Sequence, residues 1–298
     1  METFVKTGDP AEIWGEALSL AELAEATPSG GAPVVPLLST AADHDRGVIR
    51  EERLRSVRAT ALAAREFGAR LAHTHAWDPS GHRIFGQAPG GAASPSNTAP
   101  PGNAGSPGRT AKPGKTTAPA TTRSRRIRLG SWDLPVVPAD SPTRGFGEFY
   151  AADRIEPYLG PARDNCALDA SGTHALERLC ERLRDGAFDS PQPALVHSPA
   201  ALLHGDLWSG NVMWTERGGM LIDPVSHGGH AETDLATLTV FRAPFVEEIY
   251  AGYNEVSPLA SGWQHRIGLH SLHILILHAA LFGGSYGAET LAAARPYL

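Results

Sequence analysis

The fold expected of this chain is decided by two short stretches, His204-Gly205-Asp206-Leu207-Trp208-Ser209-Gly210-Asn211 and Met220-Leu221-Ile222-Asp223-Pro224. Three oxygen-bearing side chains follow one another there, namely Asp206, Asn211 and Asp223. The first two are five residues apart, which is the spacing of the proton acceptor and one metal ligand in kinase catalytic loops. An isolated HGD triplet would usually be a turn, so the prediction rests on the joint occurrence.

The residues between these stretches show a strand-turn-strand pattern. Val212-Met213-Trp214 is apolar, Glu216-Arg217-Gly218-Gly219 can form a turn, and Met220-Leu221-Ile222 is apolar again. A hairpin of this kind returns Asp223 to the side of Asn211, so both side chains can bind one Mg²⁺ that bridges nucleotide phosphates. Asp206 is then left to accept the proton of a hydroxyl group. The pattern predicts a kinase that phosphorylates a small molecule.

The same residues resemble a known family. HGDLWSGN is similar to the catalytic loop of the fructosamine-3-kinase (ketosamine-3-kinase) family, a branch of the protein-kinase-like fold related to aminoglycoside phosphotransferases. The insertion at 207–209 distinguishes this loop from those of the aminoglycoside and choline kinases. Similar motifs extend over most of the chain, at 4–20, 67–75, 148–157, 229–235 and 278–286, and only about 87–145 lacks a counterpart.

The resemblance implies an α+β, protein-kinase-like fold of two lobes, with an incomplete N-terminal β lobe and a mainly helical C-terminal lobe. We expect residues 1–54 to form the truncated ATP-binding lobe and residues 55–298 the catalytic lobe. It also implies ATP and Mg²⁺ as cofactors and the 3-hydroxyl of a ketosamine, such as a glycated lysine, as phosphate acceptor in protein deglycation. An aminoglycoside or amino-alcohol phosphotransferase and a pseudokinase remain the alternatives.

Lys6, Glu16 and Glu52, which precede the catalytic loop in the chain, are expected to take part in binding the nucleotide. Lys6 and Glu16 look like the β3 lysine and the αC glutamate of the family, so Lys6 would contact the α- and β-phosphates while Glu16 holds it. Glu52 lies near the expected interlobe hinge, where the backbone would meet the adenine. Without the resemblance, Lys6 would be an ordinary solvated lysine near a frayed terminus.

The catalytic loop supplies the remaining expected site residues. Asp206 is the expected catalytic base beside the two metal ligands. His204 is expected to hold the loop by packing and hydrogen bonding, while Trp208 either lines the sugar site or fills core. Asp234 is expected to cap the helix that follows it or to pin the loop backbone.

The start of the chain departs from the family pattern. Family members place a strand, a glycine-containing phosphate loop and a second strand before the lysine, which here is residue 6. Gly8 and Gly15 follow the lysine and cannot substitute for that loop. A misassigned start, a truncation or a degenerate kinase would each account for this, and we expect weak ATP binding and poor turnover until the loop is restored.

Composition narrows the class of protein further. The 298 residues carry a net charge of −6 and only two cysteines, Cys166 and Cys180, which form neither a disulfide framework nor a zinc pattern, so a cytoplasmic location is expected. No signal peptide or membrane-spanning run is visible, and no membrane partner is expected. Four histidines near the end of the chain lack HExxH spacing, so no metal is assigned to them: His265, His270, His273 and His278. Nothing indicates the oligomeric state.

Residues 87–130 interrupt the second lobe. They are rich in Gly, Pro, Ala, Ser and Thr and lack apolar periodicity, so a disordered insert is expected. Seven basic residues and no acidic one lie between Arg83 and Asp133. The few arginines and the lack of interleaved aromatic residues argue against a nucleic-acid partner. The expected partners are ATP and a ketosamine or glycated amine.

Local patterns predict the remaining elements. Strands are expected at Thr3–Lys6, Pro33–Leu38 and Gly47–Arg50. Helices are expected at Ala11–Ala24, with Asp9 as N-cap and Pro10 at the first helical position, and at Ser56–Ala76. Leu62, Phe67 and Leu71 are expected to form the buried stripe of the second helix.

Overall fold

The computed structural model of the protein describes residues 2–90, 125–129 and 132–298, so most of the predicted disordered insert, at 91–124, lies outside the described residues. The first part of the chain forms a small β layer beside one long helix. Strands β1 (Thr3–Thr7) and β2 (Val48–Glu52) pair antiparallel, with Lys6 opposite Ile49. Helix α1 (Pro10–Ala26) follows β1 closely. Its N-cap Asp9 accepts a hydrogen bond from the Ala11 N–H, as the sequence predicted.

The connection between α1 and β2 differs from the prediction. It contains the short helix α2 (Ala41–His44), but residues 33–38 do not form a strand. Val34 and Leu37 make only isolated bridges, to Leu221 and Glu51. The neighbouring prolines at 33 and 36 lack the N–H groups that would extend a ladder.

Helix α3 (Ala61–Ala76) begins later than predicted, because Thr60 caps it by accepting a hydrogen bond from the Ala63 N–H. Phe67 and Leu71 are buried, but Leu62 is 77% exposed, so its prediction as a core residue was wrong. At 3.6 residues per turn Leu62 lies roughly 180° from Leu71 around the helix axis. The buried face of the helix therefore begins at Ala64 and excludes Leu62.

Helix α3 packs closely on helix α8 (Val246–Val256). The contact needs glycine on both helices. A Cβ on Gly68 would lie 1.9 Å from the Ile249 carbonyl oxygen, and a Cβ on Gly252 would lie 1.9 Å from the Arg65 carbonyl oxygen. This pair anchors the helix that carries His75 beneath the catalytic loop.

A hairpin at the end of the predicted insert corrects its boundaries. Strands β3 (Arg125–Leu129) and β4 (Trp132–Val136) pair antiparallel, so residues 125–129 are not disordered. At the other end, Gln87 is buried and bridges Val137. This end of the insert is ordered because Ile127 packs in a small apolar cluster with Leu134, Val136 and Val225. The average composition of the insert does not reveal this cluster.

The second lobe is mainly helical. Its helices are α4 (Phe146–Phe149), a π-helical turn (Tyr150–Ile155), α5 (Glu156–Asp164), α6 (Ala170–Arg184), α7 (Glu232–Val240), α8, α9 (Trp263–His270), α10 (Leu272–Phe282) and α11 (Tyr286–Ala294). The buried face of α6 is formed by Leu176, Leu179 and Leu183. Within the described residues, no helix is both long enough and apolar enough to span a membrane.

Two short strand pairs lie between the helices and carry the catalytic loop. Strand β5 (Ala201–Leu203) pairs with β8 (His227–Gly229), and β6 (Val212–Thr215) pairs antiparallel with β7 (Gly218–Leu221). The predicted hairpin is thus confirmed, with Val212 opposite Leu221. It returns the chain to the catalytic loop just before Asp223.

Candidate functional site

The structure brings five of the predicted site residues to one cavity of about 150 Å³. The cavity lies between β1, α1, the catalytic loop and the segment after β7. Its lining comprises Lys6, Glu12, Glu16, Ile127, Asp206, Asn211, Asp223, Pro224 and Val225. Sequence reasoning identified the polar members except Glu12 and none of the apolar ones.

Lys6 connects the first lobe to the segment that carries Asp223. Its Nζ lies 2.7 Å from Glu16 Oε2 and 3.2 Å from Asp223 Oδ1. Burial of Lys6 opposes its charge, but attraction to Glu16 and Asp223 outweighs this, so the pKa of Lys6 is raised. Burial also raises the pKa of Glu16, against the opposing effect of the ammonium group. The lysine therefore stays charged and fixed at the cavity.

The catalytic loop fixes Asp206 and Asn211 relative to each other. A 3₁₀ turn (Ser209–Asn211) returns the chain, and Asn211 Nδ2 donates to the Asp206 carbonyl oxygen at 2.8 Å and to Asp206 Oδ2 at 3.0 Å. Burial raises the pKa of Asp206 to about 6, although the Asn211 hydrogen bond lowers it. Since both hydrogen bonds use the Asn211 amide nitrogen, its Oδ1 is the atom left to ligate a cation.

Asp223 reaches the cavity through an unusual backbone conformation. Its φ of 50° lies in the left-handed region, which a residue other than glycine adopts at a cost. The preceding Ile222 N–H donates to the Asn211 carbonyl oxygen at 3.1 Å. The hairpin and this hydrogen bond together place Asp223 beside Asn211.

His204 supports the loop as an uncharged side chain. Its Nε2 donates to the Ile222 carbonyl oxygen at 2.9 Å, which leaves Nδ1 to accept from the Asp206 N–H at 3.3 Å. Burial lowers the pKa of His204, so the imidazole is neutral. The histidine therefore ties the end of the hairpin, at Ile222, to the loop backbone at Asp206.

Asp234 lies beneath the loop, buried in the first turn of α7. It does not cap this helix. Its carboxylate instead accepts from the His204 N–H at 2.7 Å, from the Gly205 N–H at 3.1 Å and from His75 Nε2 at 3.2 Å. Burial alone would raise the pKa of Asp234, but these hydrogen bonds outweigh it and the pKa is lowered. Asp234 thus holds the loop backbone as an anion.

Trp208 does not fill core. Its side chain is 40% exposed, and its ring packs edge-on against Phe241 with the ring centroids 5.9 Å apart. The ring lies directly over Gly210, where a Cβ would approach it to 2.2 Å. Trp208 is absent from the cavity lining, although it lies two residues from Asp206.

Glu52 is not brought to the cavity. Its side chain pairs with Arg217 at 3.0 Å and lines a separate cavity of about 490 Å³. Its N–H donates to the Pro36 carbonyl oxygen. Side chains alternate along a strand, so the interior position belongs to Glu51 instead.

Glu51 is a buried carboxyl group that sequence reasoning missed. It is 4% exposed, and its Oε1 has no hydrogen-bond partner among the described residues. Burial, together with the charges of Glu16 and Asp223, raises the pKa of Glu51 to about 7. The alternation of Ile49 and Glu51 along β2 was the signal that could have identified it.

A second buried cluster contains His270, one of the histidines to which no metal was assigned. Ligand atoms of His230, Glu232 and His270 lie within 4.8 Å of one another. Arg266 donates to both Glu232 oxygens, at 2.6 and 2.8 Å. A cation here would have to displace the guanidinium group, so we assign the cluster a structural role in joining α7 to α9.

Comparison with solved structures identifies the class of fold. The crystal structure of a candidate fructosamine-3-kinase from Thermobifida fusca matches with a TM-score of 0.73 and 30% identity, covering 98% of this chain and 84% of that chain. The gentamicin complex of APH(2″)-IIa matches with a TM-score of 0.53 and 9% identity, covering 98% and 83%, which indicates the fold alone. The expected α+β, protein-kinase-like fold of two lobes is confirmed.

The chain belongs to the fructosamine kinase family, whose sequence profile matches residues 138–295. A probable ketoamine kinase of Enterococcus faecium is 32% identical over 155 residues, which cover 52% of this chain and 53% of that protein. A probable ketoamine kinase of Vibrio parahaemolyticus is 42% identical over 91 residues, which cover 30% and 31%. The chain therefore spans about half the length, or less, of these relatives.

Proposed function

We propose that the protein is an ATP-dependent kinase that phosphorylates the 3-hydroxyl of a ketosamine. The observation that carries this proposal is the convergence of Asp206, Asn211 and Asp223 with the Lys6–Glu16 ion pair on one cavity, in a chain of the fructosamine kinase family. Acceptors would be fructosamine, ribulosamine or erythrulosamine adducts of amines or protein lysines. The biological role would be protein deglycation.

Asp206 acts as the proton acceptor in this proposal. With a pKa near 6, it is mostly a carboxylate at pH 7.5 and still basic enough to take a hydroxyl proton as the oxygen attacks the γ-phosphorus. Its hydrogen bond from Asn211 fixes which carboxylate oxygen remains available. Lys6 would bind the nucleotide phosphates and keep its orientation through Glu16.

The donor set suits Mg²⁺. Asn211 Oδ1 and the Asp223 carboxylate are oxygen ligands of the kind that Mg²⁺ prefers, and both face the same cavity. When bound there, the cation would neutralise charge on the β- and γ-phosphates. In the structure, Lys6 supplies the positive charge that faces Asp223.

Two observations favour a ketosamine over an aminoglycoside or another amino alcohol. The loop contains the insertion at 207–209, and the names of several relatives refer to ketoamine or fructosamine kinases. Trp208, exposed beside the catalytic loop, would form one wall of the sugar site. A reducing, cytoplasmic location is part of the same proposal, and the free thiols Cys166 and Cys180 are compatible with it.

A substrate panel tests the proposal. Purified protein with Mg-ATP is expected to phosphorylate lysine adducts of ribulose or fructose, with the phosphate on the sugar 3-oxygen, as read by ³¹P NMR and mass spectrometry. Lysine and the free sugars serve as matched acceptors that lack the ketosamine linkage. Phosphorylation of aminoglycosides alone would replace the proposal by its alternative, and nucleotide binding without transfer to any acceptor would identify a pseudokinase.

Metal titration tests the two proposed ligands. Asp223→Asn is expected to raise the Mg²⁺ concentration needed for half-maximal activity by roughly tenfold or more, because it removes the charged ligand, and Asn211→Ala by less. Asp164→Asn, which alters an exposed carboxylate remote from the cavity, is the matched control. If both site variants kept the wild-type Mg²⁺ dependence, neither residue would be a metal ligand.

A further inference from the structure

The hairpin β3–β4 covers the candidate catalytic cavity with one apolar side chain. Ile127 is buried and lines the cavity opposite polar groups that include Asp206 and Asn211. The same side chain belongs to the apolar cluster with Leu134 and Val136, which seats the hairpin. Ile127 is thus the point at which this hairpin meets the candidate reaction centre.

On one side Ile127 contacts helix α1 at Gly15. A Cβ on Gly15 would lie 2.8 Å from Ile127 Cγ2, closer than a real Cβ approaches its neighbours. Glycine therefore permits this contact, one residue before Glu16. Any shift of α1 at this point would move the carboxylate that holds Lys6.

On the other side Ile127 packs in one apolar cluster with Val225, two residues after Asp223. The Val225 N–H donates to the His204 carbonyl oxygen at 2.9 Å. A second link joins the same two regions, because the Ser226 N–H donates to Ser19 Oγ on α1 at 3.0 Å. Ile127 therefore fills the gap between α1 and the Asp223 segment at the cavity itself.

We propose that Ile127 is a positioning residue that shields one side of this cavity from water and sets the spacing between the Lys6–Glu16 pair and Asp223. The inference rests on the proposed kinase function. With Ile127 in place, the acceptor hydroxyl gives its proton to Asp206 and attacks the γ-phosphorus, the bond to the β-γ bridging oxygen breaks, and ADP leaves. Water admitted in place of the acceptor would break the same bond and release ADP, inorganic phosphate and a proton.

The test is the partition of phosphate between acceptor and water. Ile127→Ala is expected to raise the ratio of inorganic phosphate to phosphorylated acceptor roughly tenfold, and Ile127→Val, which removes a single methyl group, to raise it less. Leu159→Ala removes the same number of carbons from the second-lobe core and is the matched control for stability. An unchanged ratio in Ile127→Ala, with acceptor phosphorylation intact in the wild type, would overturn this inference but leave the proposed kinase function standing.

A double-mutant cycle tests the contact itself. Gly15→Ala is expected to lower acceptor phosphorylation because its methyl group clashes with Ile127, and Ile127→Ala in the same chain is expected to restore part of that loss by removing Cγ2. Purely additive effects would contradict the contact. A wild type with no acceptor phosphorylation would instead refute the proposed function.

Amide hydrogen exchange gives a readout that does not depend on turnover. Ile127→Ala is expected to speed exchange in the first turns of α1 and around Val225, relative to Leu159→Ala, because both regions lose a shared contact. Unchanged protection in both regions would show that Ile127 does not couple them.

Discussion

Asp206→Ala is expected to lower kcat by at least about 100-fold, because it removes the proposed proton acceptor. Asp206 lies in the cavity with its carboxylate fixed by Asn211 Nδ2 at 3.0 Å. Steady-state kinetics with Mg-ATP and a ketosamine acceptor measure the effect. The KM for ATP is expected to change less than kcat, since the carboxylate acts on the acceptor hydroxyl.

Asp206→Asn separates proton transfer from packing. The amide keeps the size of the side chain and one acceptor oxygen for the Asn211 hydrogen bond, but it cannot take up a proton at neutral pH. A similar loss of kcat is therefore expected, with a melting temperature near that of the wild type. If either variant retained most of its turnover, Asp206 would not be the base, and the roles of the loop would have to be reassigned.

Asp234→Ala is expected to lower the free energy of unfolding by roughly 3–5 kcal/mol, the range for breaking one side of a buried charged network. Asp234 is 1% exposed and accepts from the His204 and Gly205 N–H groups and from His75 Nε2. Alanine would leave these three donors buried without their acceptor. Urea or thermal unfolding of the variant measures the loss.

Asp169→Ala is the matched control for Asp234→Ala. Asp169 is the N-cap of α6 and accepts from the Gly172 N–H at 2.7 Å, so its loss is expected to cost only about 0.5–2 kcal/mol. Asp234→Asn, which keeps one acceptor oxygen, should fall between the two alanine variants. A loss for Asp234→Ala no larger than that for Asp169→Ala would show that the loop backbone is held by other contacts.

The sequence by itself determined the features that depend on neighbouring residues. The cap at Asp9 and the hairpin between Asn211 and Asp223 were both predictable, because turn chemistry and strand alternation act over a few residues. The order and spacing of Asp206, Asn211 and Asp223 also indicated the chemistry before any contact was known. The burial of Leu62 on α3 was predicted wrongly, because at 3.6 residues per turn it lies roughly 180° from Leu71 and cannot share its buried face.

Only the tertiary structure decided which distant residues complete the cavity. Lys6 and Asp223 are 217 positions apart, and their contact depends on how the first lobe packs on the catalytic loop. The same packing brought the buried Glu51 within electrostatic reach of Glu16 and Asp223 and placed Ile127, from a segment predicted to be disordered, at the candidate reaction centre. Local propensity contains no information on such contacts, since burial is a property of the assembled surfaces and not of the residues taken singly.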